Sequence, residues 1–176
     1  MKTLANNYIF KALDAFPYEL EEAMEALTYA LAYEEKNVVA LCLMGRIYAE
    51  HLGDFEKAKL YYTEALAENM YAFNVYPHYI NVLLWNEDYE EVERFIDFAL
   101  TIKGSDKAIL YIGKAQLYEQ KEVYKKSLQT LKIAKKYTYN SDYMRTVKEH
   151  IERIKDKLPR KKKKKKSKKN FKNVNL

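Results

Sequence analysis

Four copies of one pattern follow one another along this chain at a spacing of 34 or 35 residues. Aligned on a small residue, LEEAMEALTYAL supplies Ala23, FEKAKLYYTEAL Ala58, YEEVERFIDFAL Val92 and YKKSLQTLKIAK Ser127. A bulky residue stands three before each: Leu20, Phe55, Tyr89 and Tyr124. Leu27, Tyr62, Ile96 and Leu131 stand four after, and Ala30, Ala65, Ala99 and Ala134 seven after. Offsets of 3, 4 and 7 fall on one stripe of a helix. Alanines on that stripe let a second helix approach closely, and the aromatics fill the space around the crossing.

Each copy is preceded by a second apolar segment, such as ALCLMGRIYAE before Gly53 and ILYIGKAQLYEQ before Val123. One unit is therefore two antiparallel helices joined by a tight turn, and a single pair cannot bury its own apolar face without neighbours. Only four glycines and three prolines occur in 176 residues, too few for the turns of a sheet protein of this size. An all-α fold is expected.

In this pattern the chain resembles the tetratricopeptide repeat family. Leu41, Gly45, Tyr48, Gly53, Asp54, Phe55, Ala58, Tyr62 and Ala65 take the family's roles in order in the second copy, with one extra residue near Leu52. The other copies are degenerate: NEDYEEV carries Val92 where the family has alanine, KEVYKKS replaces the turn, and the proline that ends the family's unit is missing. The resemblance spans roughly residues 4–139 and implies a right-handed superhelix of about four helix-turn-helix units. It also implies a protein–protein interaction module, a scaffold or adaptor, that holds a partner segment on the concave face formed by the first helix of each unit.

Pro17 fits the start of the first unit's second helix. The third unit's first helix is expected to start late, at about Pro77, after a loop near FNVY. Residues 141–158 carry apolar residues at Met144, Val147, Ile151, Ile154 and Leu158 and read as a solvating C-terminal helix capped by Ser141 or Asp142. Residues 1–158 thus form the helical domain, and 159–176 a separate tail.

Charge is unevenly spread. Residues 1–100 hold 18 acids and 7 bases, residues 101–158 hold 7 acids and 14 bases, and the tail holds ten bases and no acid. The tail's composition, PRKKKKKKSKKNFKNVNL, predicts disorder. Arg160, Lys161, Lys162, Lys163, Lys164, Lys165, Lys166, Lys168 and Lys169 are candidates for non-specific phosphate contacts with nucleic acid, the alternative function. An anionic membrane surface, a nuclear address, a solubilising role and a fold-back onto the acidic half are the other readings.

No phosphate-binding glycine loop, HExxH or nucleophile elbow occurs, so no enzymatic activity, cofactor or metal is expected. His51, His78 and His150 sit in three separate helices and read as ordinary histidines, against a pH-responsive or metal contact. The single Cys42 excludes an internal disulfide and reads as a buried or groove-facing thiol. No apolar run approaches a membrane span, and a cytoplasmic setting is expected.

Counting turns from the core positions puts Tyr8, Arg46, Glu50, His78, Asn81, Trp85, Gln116 and Gln120 on or near the concave face. Trp85 reads equally as an interface anchor or as packing between units. The polar residues have a solvated face as their alternative, and the 17 tyrosines read as core packing against stacking on bases. The lysine and asparagine set with which chaperone-binding members of the family grip a terminal carboxylate has no match beside Arg46 or Asn81.

Overall fold

The computed structural model describes residues 2–158. Nine α-helices follow one another with no strand among the described residues: α1 (Lys2–Ala15), α2 (Leu20–Tyr33), α3 (Val38–Arg46), α4 (Phe55–Glu68), α5 (Tyr76–Trp85), α6 (Tyr89–Thr101), α7 (Lys107–Gln120), α8 (Tyr124–Lys136) and α9 (Ser141–Lys157). They pair as hairpins, α1 with α2, α3 with α4, α5 with α6 and α7 with α8, and each hairpin packs on the next. Beyond sequence neighbours, α5 touches α7 and α7 touches α9.

The aligned positions explain this arrangement. All twelve residues of the Ala23, Leu27 and Ala30 type, in all four copies, are at 0 % exposure. The bulky residue three before each is half-buried and is the first residue of α2, α4, α6 or α8. Where Ser127 replaces alanine, its hydroxyl donates to the Ala115 carbonyl at 2.6 Å, so the buried oxygen is satisfied.

The turns repeat as well. Gly53, Glu87 and Glu122 have left-handed φ angles of 67°, 59° and 58°, one residue before Asp54, Asp88 and Val123. Asp88 N–H donates to Leu83 O and Val123 N–H to Tyr118 O, each spanning five residues. These close the preceding helix and aim the next one back along it. In the second unit Asp54 N–H reaches Tyr48 O, spanning six. The additional residue is absorbed because α3 runs on as a π-helical turn, Ile47–Leu52, the one-residue expansion of a helix. The extra residue expected near Leu52 is thereby accounted for.

Local chemistry sets the remaining boundaries. Asn37, Asp54, Asp106 and Asn140 cap α3, α4, α7 and α9, their side chains accepting from backbone N–H groups two or three residues on. Asn140, rather than Ser141 or Asp142, caps α9, because Ser141 is already helical and the Asn140 backbone is extended. Pro77 lies in the first turn of α5, after the loop expected near FNVY. Pro17 lies in the connection between α1 and α2, three residues before Leu20, rather than at the first turn of α2.

Candidate functional site

His78, Asn81 and Trp85 occupy one stripe of α5, three and four residues apart, and two groups of polar side chains meet along it. The first is a cleft of about 280 Å³ where α5, α7 and α9 converge. Asn81, Leu84 and Trp85 come from α5, Gln116, Glu119 and Gln120 from α7, and Arg153 and Lys157 from α9. Four of the residues expected on the concave face, Asn81, Trp85, Gln116 and Gln120, are thus brought together.

Glu119 organises this cleft. Only 7 % exposed, it accepts two hydrogen bonds from Arg153, at 2.9 and 2.7 Å, and one from Lys157 at 2.7 Å. Hydrogen bonding to the Arg153 guanidinium, reinforced by Lys157, outweighs burial and lowers its carboxyl to about 2. Arg153 and Lys157 remain half-exposed beyond the carboxylate, so the cleft carries two cations for one acid. Behind them His150 is buried with its Nδ1 3.3 Å from Arg153, and burial followed by the neighbouring guanidinium holds it below its ordinary value.

The other wall is aromatic and amide. Trp85 is 47 % exposed and rests tilted on Phe55, with centroids 6.0 Å apart. It therefore packs on the preceding unit with one side and leaves the other side open to the cleft. Towards the start of α5 the cleft shares Asn81 and Gln116 with an adjoining apolar pocket of about 270 Å³ lined by Pro77, Ile80, Ile109 and Ile112 of α5 and α7 and by Tyr143 of α9. Together they form a trough, polar at one end and apolar at the other.

The second group contains Arg46, Glu50 and His78. Arg46 holds Glu50 through two hydrogen bonds, at 2.9 and 3.1 Å, and its guanidinium lies 4.6 Å from the centre of the Phe16 ring. His78 Nδ1 is 3.5 Å from Glu50. Burial, then Arg46, keeps His78 below its ordinary value, against the pull of Glu50. Cys42 lies in the same neighbourhood, buried, with its thiol pushed up to about 11 chiefly by that burial. A thiol held protonated in this way is a poor nucleophile.

Tyr8 joins neither group; it stacks on Tyr29 and Tyr33 of α2, at 5.2 and 5.9 Å. His51 meets Phe16 edge-on at 5.4 Å. The tail residues Arg160 to Lys169 lie outside the described residues. Glu119, Arg153 and Lys157 were missed by sequence reasoning, although Arg153 and Lys157 are four apart and so share one face of α9.

No group of three or more histidine, cysteine, aspartate and glutamate residues is placed to hold a metal among the described residues, and no helix there is long and apolar enough to cross a membrane. No protein-family model matches this chain, and neither a curated protein nor a solved structure matches it.

Proposed function

We propose that the chain is a protein–protein interaction module, built as a short right-handed array of four tetratricopeptide-like hairpins, in which the trough between α5, α7 and α9 receives an extended partner segment. The observation that carries this reading is the convergence of Asn81, Trp85, Gln116, Gln120, Arg153 and Lys157 from three helices on one open cleft. Side-chain amides offer both donors and acceptors to a peptide backbone. The face of Trp85 offers an anchor for an apolar side chain. Two cations around one carboxylate favour an acidic partner over a basic one. In the cell such a module serves as a scaffold or adaptor in the cytoplasm.

The test is capture from lysate by the full-length chain after nuclease treatment, compared between the wild type and Trp85→Ala. Trp85 is half-exposed, so its truncation leaves the helices standing. Proteins retained by the wild type and lost by the variant support the reading. Retention unchanged by Trp85→Ala and by Gln116→Ala, or abolished by nuclease alone, rejects it.

A second reading has an observation of its own. Lys125, Lys126, Lys132, Lys135 and Lys136 are all exposed on α8, which carries no acid. This face supports non-specific phosphate contact, which the lysine-rich 159–176 segment extends. Binding of this kind weakens steeply with salt, at a slope of about −0.7 to −0.9 per phosphate contact. A short DNA or RNA duplex titrated at two salt concentrations distinguishes it from the first.

A further inference from the structure

The loop between α4 and α5 leaves an apolar groove of about 710 Å³ on a different side of α5 from the cleft. Leu66 of α4 and Phe95 and Phe98 of α6 form its walls, and Met70 and Tyr71 form its lip. Tyr76 and Tyr79, at 3 % and 4 % exposure, close the floor. The walls and lip are open: Tyr71 is 61 % exposed, Phe98 48 % and Met70 41 %. An apolar surface of this kind on a helical domain marks a site of contact with another chain segment.

Charge narrows what that segment is. Glu68 lines the groove and Glu64 lies one turn before it on α4. Glu91 accepts the hydroxyl of Tyr79 on the groove floor. Glu68 is the one charged residue among those that line the groove, and none of them is basic. Glu68 is tied to Lys36 at 3.2 Å, but an exposed pair of this sort is worth little and exchanges readily. The occupant is therefore a segment rich in cations that also presents spaced apolar side chains.

This chain contains such a segment. Residues 159–176 carry ten bases and no acid, and after the lysine run they present Phe171, Val174 and Leu176. Lys157, at the end of α9, lies in the cleft beside Trp85 at the end of α5, whereas the groove is floored by Tyr76 and Tyr79 at its beginning. The path along the ten residues of α5 is about 15 Å, and crossing its width adds about 10 Å. The twelve residue steps from 159 to 171 span at most about 40 Å when extended. Reach is sufficient.

We propose that the basic segment 159–176 docks in this groove on its own chain, with Phe171 as the apolar anchor and the lysines against Glu64, Glu68 and Glu91. Docking withdraws the lysines from polyanions, so groove occupancy and phosphate contact compete. The groove and the cleft are separate surfaces, and this inference stands or falls independently of the partner segment proposed above.

The experiment places a photoreactive benzoylphenylalanine at position 171 of the full-length chain and maps the linkages formed on irradiation at high dilution. The expected linkages join position 171 to residues 63–71 or 95–98 of the same chain. A lysine in the apolar wall removes the aromatic contact and repels the basic segment, so Phe98→Lys reduces their yield about tenfold. Tyr71→Lys, on the exposed lip, gives the same reduction and decides the matter if Phe98→Lys disturbs α6. Linkages scattered over the surface, or insensitive to both substitutions, overturn the proposal. Linkages chiefly between two chains overturn it too, since they assign the groove to the segment of a second copy.

Discussion

A methyl group added to Gly45 would lie 2.7 Å from a carbon of the Tyr62 ring, closer than such atoms ever approach. Tyr62 is at 0 % exposure and has no room to swing away. Helix α3 therefore crosses α4 at a distance that glycine sets, with the aromatic of the repeat filling the space a side chain would take. Gly113 stands in the same relation to Ile80, at 2.9 Å.

Gly45→Ala is accordingly expected to destabilise the protein. Alanine in place of glycine gains up to about 1 kcal/mol of helix propensity, whereas overpacking a closed core costs about 1–3 kcal/mol. Overpacking wins because the obstacle is a fixed ring rather than the end of a flexible side chain. Urea unfolding of the variant gives a lower midpoint; an unchanged or higher midpoint refutes the crossing geometry. Ala58→Trp tests the same seam from the other helix and lowers the midpoint further.

The turn glutamates lead to the opposite expectation. Glu87 and Glu122 hold left-handed φ angles where the second unit has Gly53, and both side chains are exposed. The left-handed conformation costs a non-glycine residue roughly 1–2 kcal/mol, from which the greater chain entropy of unfolded glycine must be subtracted. Glu87→Gly and Glu122→Gly should each raise stability by about 0.5–1 kcal/mol, with Gly53→Ala lowering it by a similar amount. Thermal melts of the three single variants suffice as the check.

These positions show why much of the helical arrangement was legible in the sequence. Burial in the repeat depends on local spacing, and the twelve aligned core residues carry that spacing whatever the rest of the chain does. Residues brought together from distant segments leave no such trace. Glu119 meets Arg153 and Lys157 across 34 and 38 residues. Hydrophobic periodicity gives the inward face of α9 but not where its last turns lie along α7, so the cleft's charged half stayed hidden. Tyr8 illustrates the same point: Tyr29 and Tyr33 on the partner helix offer a stacking surface that an outward count along α1 alone does not register.

The π-helical turn is expected to be a tolerated insertion. Leu52 is half-exposed, and the closure from Tyr48 to Asp54 spans one residue more than its counterparts in the third and fourth units. Deleting Leu52 restores the five-residue closure without moving Asp54, which caps α4 through Lys57 N–H. Stability should change by no more than about 1 kcal/mol, the range of a surface change that spares the core. Loss of cooperative unfolding in the deletion variant would show that the expanded turn holds the Arg46, Glu50 and His78 group in place, rather than merely absorbing a residue.

Acid should destabilise the fold in two stages with different owners. His150 and His78 are held below their ordinary value of 6.5, so folding excludes protons that the unfolded chain binds. Their contribution is complete above about pH 6.5 and declines as pH falls through that value. Glu119 is depressed from 4.5 to about 2, so its contribution is complete above 4.5 and is lost as pH drops towards 2. One pKa unit is worth about 1.4 kcal/mol, and since Arg153 and Lys157 are half-exposed, solvent screening leaves roughly 1–2 kcal/mol for this carboxylate. Glu119→Gln should therefore cost about that much at pH 7 and reduce the stability change between pH 4.5 and 2.5 by the same amount. It leaves the share of Glu22, Glu56 and Asp88, which are also held below the usual carboxylate range, and the change near 6.5. Denaturant midpoints of both proteins across this range decide it, and parallel curves below pH 4.5 would mean that Glu119 does not fasten α9 to α7.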